Sequence, residues 1–527
     1  MSESSTERPL RHRIGLVLGL ALFGLLLMIP TPSGMTPEAQ RVAAVAALMA
    51  TWWISEAIAI ALTSLLPLAL FPALGIMGSD RVAPYYTDQI IFLFFGGFVV
   101  ALTIQKWNLH KRIALHTISV IGTDPARLML GFMIATAFLS MWMSNTACAM
   151  MMFPIGMAVV LQLAAQPAPG GAGGQVVQVV DEQITRNFGS LLMLAIAYAS
   201  SIGGIGTLIG TPPNLIFVGQ ARRLFPESPE IGFLEWMTLA VPLVAVFLPV
   251  TWLYLCRFGS AVPLKQVRFH GGQSVIAEEL RKLGPMRWQE KYILGVWTAM
   301  ALLWIFRADI ELGSRKIEGW ADLFGQPAYL HDATVAMAMA LVLCLTPAQS
   351  DDPKAGFQLI DWDTIRQGVP WGVLFLFGGG FAMAAGFEQT KLSDWIGTLL
   401  TGMGGLSPVM MMMVTCLVLM ALTEVTSNSA SAVMAMPVLA AAAVQLQVHP
   451  FLLMIPGTIA VSCAFMLPVS TPPNAIVFGS GWITIPQMAR AGVWLDILGI
   501  FIVTATVWFL GTAIFGITVG QMPAWAR

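Results

Sequence analysis

Apolar residues fill this chain in runs of 16 to 20, each closed by a short polar stretch, from residue 14 almost to the C-terminus. A bilayer core about 30 Å thick takes roughly 20 residues of helix to cross, so each run predicts a spanning helix. By hydropathy alone, eleven candidate spans lie near 14–30, 41–56, 57–75, 89–105, 190–220, 236–256, 289–307, 332–348, 370–387, 452–482 and 492–517. Two further apolar regions, 126–164 and 408–447, are each interrupted in the middle by a polar cluster. Their arms of about 16 to 18 residues suit either a pair of short spans or a re-entrant hairpin. The predicted fold class is therefore an all-α polytopic membrane protein.

Composition agrees. Of 527 residues, 57% are hydrophobic and 10% charged, against about 25% charged in ordinary soluble proteins. With 27 Lys+Arg against 28 Asp+Glu, the net charge of -1 leaves no basic surface for nucleic acid. Cys148, Cys256, Cys344, Cys416 and Cys463 stand singly, without CxxC spacing or a His cluster, and read as reduced packing residues. Arg8, Arg11 and Arg13 precede the first apolar run, and Pro30-Thr31-Pro32-Ser33 follows it in place of an A-x-A cleavage site, which predicts an uncleaved span. A cytoplasmic N-terminus puts 18 Lys/Arg inside and 9 outside, although Arg222 and Arg223 dissent. The positive-inside rule thus predicts a multi-pass plasma (inner) membrane protein with its C-terminus outside.

The chain also contains an internal repeat. Phe92 to Leu109 matches Phe375 to Leu392 without gaps, with eight identities in eighteen positions at an offset of 283. At the same offset Ser144 to Pro154 falls on Ser427 to Pro437, six of eleven identical. Thr211 to Gly219 meets Thr471 to Gly479 at an offset of 260, six of nine identical. The 23-residue change of offset is taken up by a Gly/Pro/Gln-rich loop around 163–188. An odd number of spans separates the two copies, so they face opposite ways: an inverted repeat, the construction of secondary transporters. The expected organisation is an N-terminal segment with the first span (1–40), repeat 1 (41–257), an amphipathic linker on the inner surface (258–288) and repeat 2 (289–527).

Each repeat carries two polar interruptions at membrane depth. The first has Ser144-Asn145-Thr146 and Gly210-Thr211-Pro212-Pro213-Asn214; the second has Ser427-Asn428-Ser429 and Ser470-Thr471-Pro472-Pro473-Asn474. Non-helical backbone survives there only when buried in protein or lining a cavity, so the four segments are expected to meet. Ser, Thr and Asn favour N-caps, and Pro suits the first turn. Each interruption then starts a half-helix whose N–H groups suit an anion, while the carbonyls before it and the Asn and Ser oxygens suit a small cation. Either motif alone is an ordinary helix start; its duplication at matching places points to function. The Phe-Leu-Phe-x-Gly-Gly-Phe segment reads as close helix packing. Within 140–154, 205–214, 423–437 and 466–474, Glu424 is the sole charge; it reads as a structural group beside the site ahead of a direct ligand. A dianion bound there needs cations beside it, since helix termini offer only about 0.3 to 2 kcal/mol each.

With Trp52-x-x-x-Glu56-Ala57 added, these motifs resemble the divalent anion:sodium symporter family, the sodium-coupled di- and tricarboxylate and sulfate carriers, over essentially the whole chain. The resemblance implies an elevator-type homodimer with about eleven spans and two re-entrant hairpins, one within 126–164 and the other within 408–447. It implies one sodium site at Ser140, Ser144, Asn145 and Gly210, and another at Thr423, Thr426, Asn428 and Ser470. Substrate carboxylates are expected at Ser144, Asn145, Thr146 and Thr211 on one side, and at Ser427, Asn428, Ser429, Thr471 and Pro472 on the other. Ser429 stands where Thr is usual. The expected activity is sodium-coupled import of a small dianion, most simply a C4-dicarboxylate such as succinate, malate or fumarate, with at least two Na⁺. The competing readings are a sulfate symporter and a sodium-independent exchanger; the latter needs a fixed cation near the site, and none is present. An intramembrane enzyme needs a catalytic dyad or metal ligands that the clusters lack. A channel fits poorly with interruptions that enter from opposite sides.

Overall fold

The protein was analysed as a computed structural model describing residues 10–122, 124–164, 182–259, 272–312, 315–349, 356–399 and 405–526. Most of the Gly/Pro/Gln-rich loop, the first part of the 258–288 linker and Arg8 fall outside those residues.

The described residues of the chain are mostly helical. Its helices are α1 (Leu10–Met28), α2 (Pro37–Ser55), α3 (Ile60–Thr63), α4 (Leu66–Ala73), α5 (Ser79–Val82), α6 (Gln89–Lys106), α7 (Leu109–Ile121), α8 (Pro125–Ser140), α9 (Asn145–Ala164), α10 (Glu182–Gly204), α11 (Pro212–Leu224) and α12 (Phe233–Phe258). There follow α13 (Gly272–Leu283), α14 (Trp288–Ile305), α15 (Asp332–Leu345), α16 (Trp362–Gly368), α17 (Trp371–Gln389), α18 (Leu392–Leu399), α19 (Pro408–Thr423), α20 (Asn428–Gln445), α21 (Phe451–Ala460), α22 (Pro472–Phe478) and α23 (Ile485–Thr506). Seven helical segments among the described residues are long and apolar enough to cross a membrane.

Three of the expected continuous spans are broken. The run 190–220 ends as a helix at Gly204 and restarts at Pro212; the run 452–482 ends at Ala460 and restarts at Pro472; the run 57–75 divides into α3 and α4. Hydropathy averages over such breaks because their residues are themselves uncharged. Among the described residues there is one antiparallel pair of three-residue strands, β1 (Ile310–Leu312) and β2 (Arg315–Ile317).

The sequence repeat is matched by element order. Helices α6 to α12 correspond one for one to α17 to α23, each set containing a helix, a short connector, two arms meeting at a polar turn, a broken helix and a long final helix. The arms α8 and α19, at 16 residues each, span only about 24 Å at 1.5 Å per residue. Pro125 and Pro408 occupy first-turn positions, and α19 is also capped by its side chain, Ser407 Oγ accepting from the Met410 N–H at 3.3 Å.

Two sets of helices pack mainly within themselves. One, the core set, comprises α8–α12 and α19–α23; the other, the frame set, comprises α1–α6 and α14–α17. Within the core the repeats interlock. The half-helix α11 packs on α20, and α22 packs on α9 and α10, which draws all four polar interruptions together. The main seam between the sets is α11 and α20 against α17.

The repeated glycine pairs set how closely the frame helices approach. Gly96 and Gly379 hold equivalent places in α6 and α17. A methyl group on Gly96 would sit 2.7 Å from the Ala336 carbonyl carbon of α15, and one on Gly379 would sit 2.4 Å from the Ser64 carbonyl oxygen. Neither neighbour is a side chain end that can swing away, so Gly379→Ala is expected to lower the thermal midpoint, by an overpacking cost of about 1–3 kcal/mol. Gly295→Ala in α14, where an added methyl meets nothing within 4 Å, is expected to leave the midpoint unchanged or raise it. Scanning fluorimetry in detergent on both variants checks the contrast; equal midpoints would remove close backbone contact as the reason for these glycines.

Candidate functional site

At the tip of the first hairpin, the Ser140 hydroxyl lies 2.7 Å from Asn145 Oδ1 and 2.7 Å from the Ser200 carbonyl. At the second tip, the Thr423 hydroxyl lies 2.7 Å from Asn428 Oδ1 and 2.9 Å from the Val461 carbonyl. Each hydroxyl has one proton and two acceptors. When it donates to the carbonyl, its own lone pair and the Asn oxygen face one another with no hydrogen between them. Two acceptors in that relation are stabilised by a shared cation, and their hard oxygens suit a small one. Ser140 and Thr423 are fully buried, so no bulk water competes.

The breaks that follow α10 and α21 complete both places. Asn214 Nδ2 lies 2.7 Å from the Thr207 carbonyl and 3.2 Å from that of Ile205. Asn474 Nδ2 lies 3.1 Å from the carbonyls of Ala464 and Leu467. Each Asn thereby ties the start of the second half-helix to the end of the first. The room at Gly210 is enclosed by carbonyls: a methyl there would lie 2.4 Å from the Gly204 oxygen and 2.9 Å from the Ser140 oxygen. Ser470 takes the equivalent place in the second copy, where its hydroxyl donates to the Leu467 carbonyl at 2.7 Å.

The loops are anchored differently in the two copies. Thr207 donates its hydroxyl to the Met141 carbonyl in the first. In the second, Glu424, which replaces Met141, accepts the Met466 N–H at 2.8 Å on one oxygen and the Leu467 N–H at 3.0 Å on the other. Its carboxylate faces the loop behind the site. Tyr198 of α10 supports the same loop, donating to the Phe465 carbonyl at 3.0 Å.

In front of the tips lies a cavity of about 1020 Å³. Ser144, Asn145, Thr146, Gly210 and Thr211 line it from the first repeat, and Thr426, Ser427, Asn428, Ser429, Ser470, Thr471 and Pro472 from the second. Ser140 and Thr423 lie behind that lining. All the residues singled out in the sequence are therefore brought to one place. Missing from the sequence reading were the amide ties of Asn214 and Asn474, although both lay within the duplicated Thr-Pro-Pro-Asn. Also missing was the cavity's mouth, where Arg11 and Glu56 pair at 3.1 Å beside Gln105; no spacing rule links residues 45 positions apart. Arg11 is the one cation among the lining residues. Away from Arg11 and Glu56, the polar groups lining the cavity are Ser, Thr, Asn and Gln side chains and helix ends.

Comparison with known proteins agrees with this architecture. The family model described as the sodium:sulfate symporter transmembrane region matches residues 11–517. A sodium-dependent dicarboxylate transporter, SdcS, of Staphylococcus saprophyticus is 42% identical over 508 residues, covering 96% of this chain and 93% of its own. Its Staphylococcus aureus namesake (strain bovine RF122 / ET3-1) is 40% identical over 522 residues, covering 99% and 95%. Among solved structures, Neisseria gonorrhoeae MtrF, described as one of a class of antimetabolite efflux pumps, superposes with a TM-score of 0.54 at 11% identity, over 96% of this chain and 97% of its own. The Alcanivorax borkumensis YdaH transporter gives 0.54 at 13% identity, over 95% and 99%. These two likenesses concern the fold alone.

The paired hydroxyl–amide geometry makes a prediction about cation binding. Sodium chloride is expected to raise the protein's thermal midpoint where choline chloride does not. Ser140→Ala and Thr423→Val, which remove one oxygen and leave the Asn in place, are each expected to raise the half-saturating sodium concentration about tenfold, the loss of roughly one charge-assisted contact. An unchanged sodium response in both variants would show that the two pockets are not cation sites.

Proposed function

The chain belongs to the sodium:sulfate symporter family, that of the divalent anion:sodium symporters, and is a multi-pass membrane transporter rather than an enzyme; from this footing we propose that it imports a C4-dicarboxylate together with sodium. The observation that carries the proposal is the pair of hydroxyl–amide pockets set beside one cavity that holds no fixed cation in its depth. The naming of relatives at 40–42% identity as sodium-dependent dicarboxylate transporters favours dicarboxylate over sulfate as the cargo.

In this reading one Na⁺ is held by Ser140, Ser144, Asn145 and Gly210, and a second by Thr423, Thr426, Asn428 and Ser470. The substrate's carboxylates meet Ser144, Asn145, Thr146 and Thr211 at one end and Ser427, Asn428, Ser429, Thr471 and Pro472 at the other. Asn145 and Asn428 bridge ion and substrate, each giving Oδ1 to the cation and Nδ2 to a carboxylate. Two cations and one dianion form a neutral load. The load then crosses without the cost of about 2.3 kcal/mol per charge per 100 mV that opposes a bare anion entering a negative interior. Binding is coupled because neither charge is stable alone at membrane depth.

Alternating access follows from the repeat. We take the core set as the moving body of an elevator and the frame set as the scaffold of a homodimer, with about eleven spans, two re-entrant hairpins (α8–α9 and α19–α20) and oppositely oriented repeats. The N-terminus is then cytoplasmic and the C-terminus outside, in the plasma (inner) membrane. The helix α6 runs outside to inside, and a cavity bordered by Gln105 near its C-terminal end is open to the cytoplasm.

The test is uptake of labelled succinate into proteoliposomes. Uptake is expected to require an inward sodium gradient, to compete with malate and fumarate and to resist excess sulfate. Undiminished uptake with choline or K⁺ in place of Na⁺, at fixed pH and potential, would sink sodium coupling; inhibition by sulfate with no effect of malate would move the cargo to sulfate. Asn145→Ala and Asn428→Ala are each expected to abolish coupled uptake while sodium and substrate affinity fall together.

A further inference from the structure

The ion pairs of the described residues are distributed unevenly about the seam between core and frame. On the side of the cavity mouth Arg11 pairs with Glu56 and Lys106 with Asp361 within the frame, Arg127 with Asp124 at the start of the core arm α8, and the connecting helix α7, which packs on α8, pairs with α13 through Lys111–Glu279 and with α14 through Arg112–Glu290. None of these joins a residue of the core set directly to one of the frame set. On the opposite side, two pairs do. Arg223, near the end of the core helix α11, pairs with Asp88, the N-cap of the frame helix α6. Arg307, just past the frame helix α14, reaches Glu230, on the core loop before α12, at 2.9 Å.

Both crossings are built into their surroundings. The Arg223 guanidinium lies 3.9 Å over the ring of Phe381 in α17 and 5.3 Å from that of Tyr85. The second half of Asp88 is engaged too, its other oxygen accepting the Ile90 N–H at 2.9 Å. The Arg307 side chain donates to Asp332 Oδ1 at 2.6 Å and to the Leu330 carbonyl at 2.9 Å. Asp332 in turn accepts the N–H of Phe233, the first residue of the core helix α12, at 3.2 Å. Arg223 and Asp88 keep 14% and 22% of their side-chain exposure. Such pairs are less screened than open surface pairs, whose median contribution is about 0–1 kcal/mol.

The two crossings lie at the far end of α6 from Gln105, roughly 25 Å away at 1.5 Å per residue. They bind the core to the frame on the closed side while the opposite side stands open. We propose that Arg223–Asp88 and Arg307–Glu230 form an outer latch that holds the carrier open to the cytoplasm and that must part before the core can present its site outside. This rests on the carrier reading above and adds to it the contacts that set which face is favoured. The latch needs no ligand to close, so it sets the resting state. Binding of the neutral load then works on a conformational balance already biased inward, and reopening to the outside requires both guanidiniums to leave their partners.

The experiment uses the full-length protein with its five cysteines replaced and Val425→Cys added, since Val425 lines the cavity and is 61% exposed there. A membrane-impermeant maleimide is applied to right-side-out and to inside-out vesicles without substrate. The parent is expected to label from the cytoplasmic face. Asp88→Asn keeps the oxygen that caps α6 and removes the charge, and Glu230→Gln alters a half-exposed loop, so neither threatens folding. Together they are expected to raise the outside labelling rate about threefold or more, with a matching fall inside. Glu230→Lys, which faces Arg307 with a like charge, is expected to act alone in the same direction. Unchanged rates on both faces in the double variant and in Glu230→Lys would overturn the latch. Sodium-driven succinate uptake by the parent is measured beside them: its absence would defeat the carrier reading, whereas the labelling ratio judges the latch in either case.

Discussion

A backbone that stops being helical inside a membrane must find partners within the protein, and this structure is arranged around that demand. The ends of α10 and α21 leave carbonyls, and the starts of α11 and α22 leave N–H groups, at a depth where no lipid can satisfy them. Part of the demand is met internally. Asn214 and Asn474 cover carbonyls with their side-chain amides, and Glu424 takes two N–H groups of the second loop. The remainder, the hydroxyl–amide oxygen pairs and the helix N-termini at Ser144, Thr211, Ser427 and Thr471, faces the cavity or lies just behind it, where the proposed ions and substrate would meet it. The same constraint explains the interlocked repeats: a half-helix of seven residues such as α22 is far too short to be stable alone, and it is held by α9 and α10 of the other copy.

The sequence made the site more legible than the helices that carry it. Ser144 to Pro154 and Ser427 to Pro437 could be aligned because the chemistry at the tips admits few residue types, so identity persisted where the rest of the repeat drifted. Hydropathy, by contrast, measures only transfer from water. It treats Ile205 to Thr211 as part of a span because Ile, Gly and Leu are as apolar broken as helical, and it cannot separate α3 from α4 around Ser64 and Leu65. The frame glycines were read as close packing from their motif, but which backbone each one meets depends on folding: Gly96 meets α15 and Gly379 meets the end of α3. Likewise Glu424 offered only its type and depth to the eye, and its partners Met466 and Leu467 lie more than forty residues on.

Repetition also hides differences of function between the two copies. The Ser144 hydroxyl accepts the Ala147 N–H at 3.2 Å and so is partly spent as a helix cap, whereas Ser427 makes no such side-chain cap and keeps its oxygen for a ligand. Gly210 leaves carbonyls bare where Ser470 supplies a hydroxyl. The second pocket stands next to a carboxylate and the first does not. The second pocket therefore has a carboxyl group, held by the Met466 and Leu467 N–H groups, directly behind its loop. A cation in the first must rely on neutral oxygens and on the incoming dianion.

That asymmetry bears on the order in which a coupled load is assembled. In the proposed reading, a dianion reaching an empty site would meet helix N-termini worth about 0.3 to 2 kcal/mol each. In the same reading, a cation in the second pocket would engage Asn428 Oδ1 and so turn its Nδ2 toward the cavity, preparing one half of the substrate's contacts. Symmetry of fold and asymmetry of side chains thus act together: the repeat brings two matching tips to one cavity, and the unrepeated Glu424 and Ser470 make the two pockets chemically distinct.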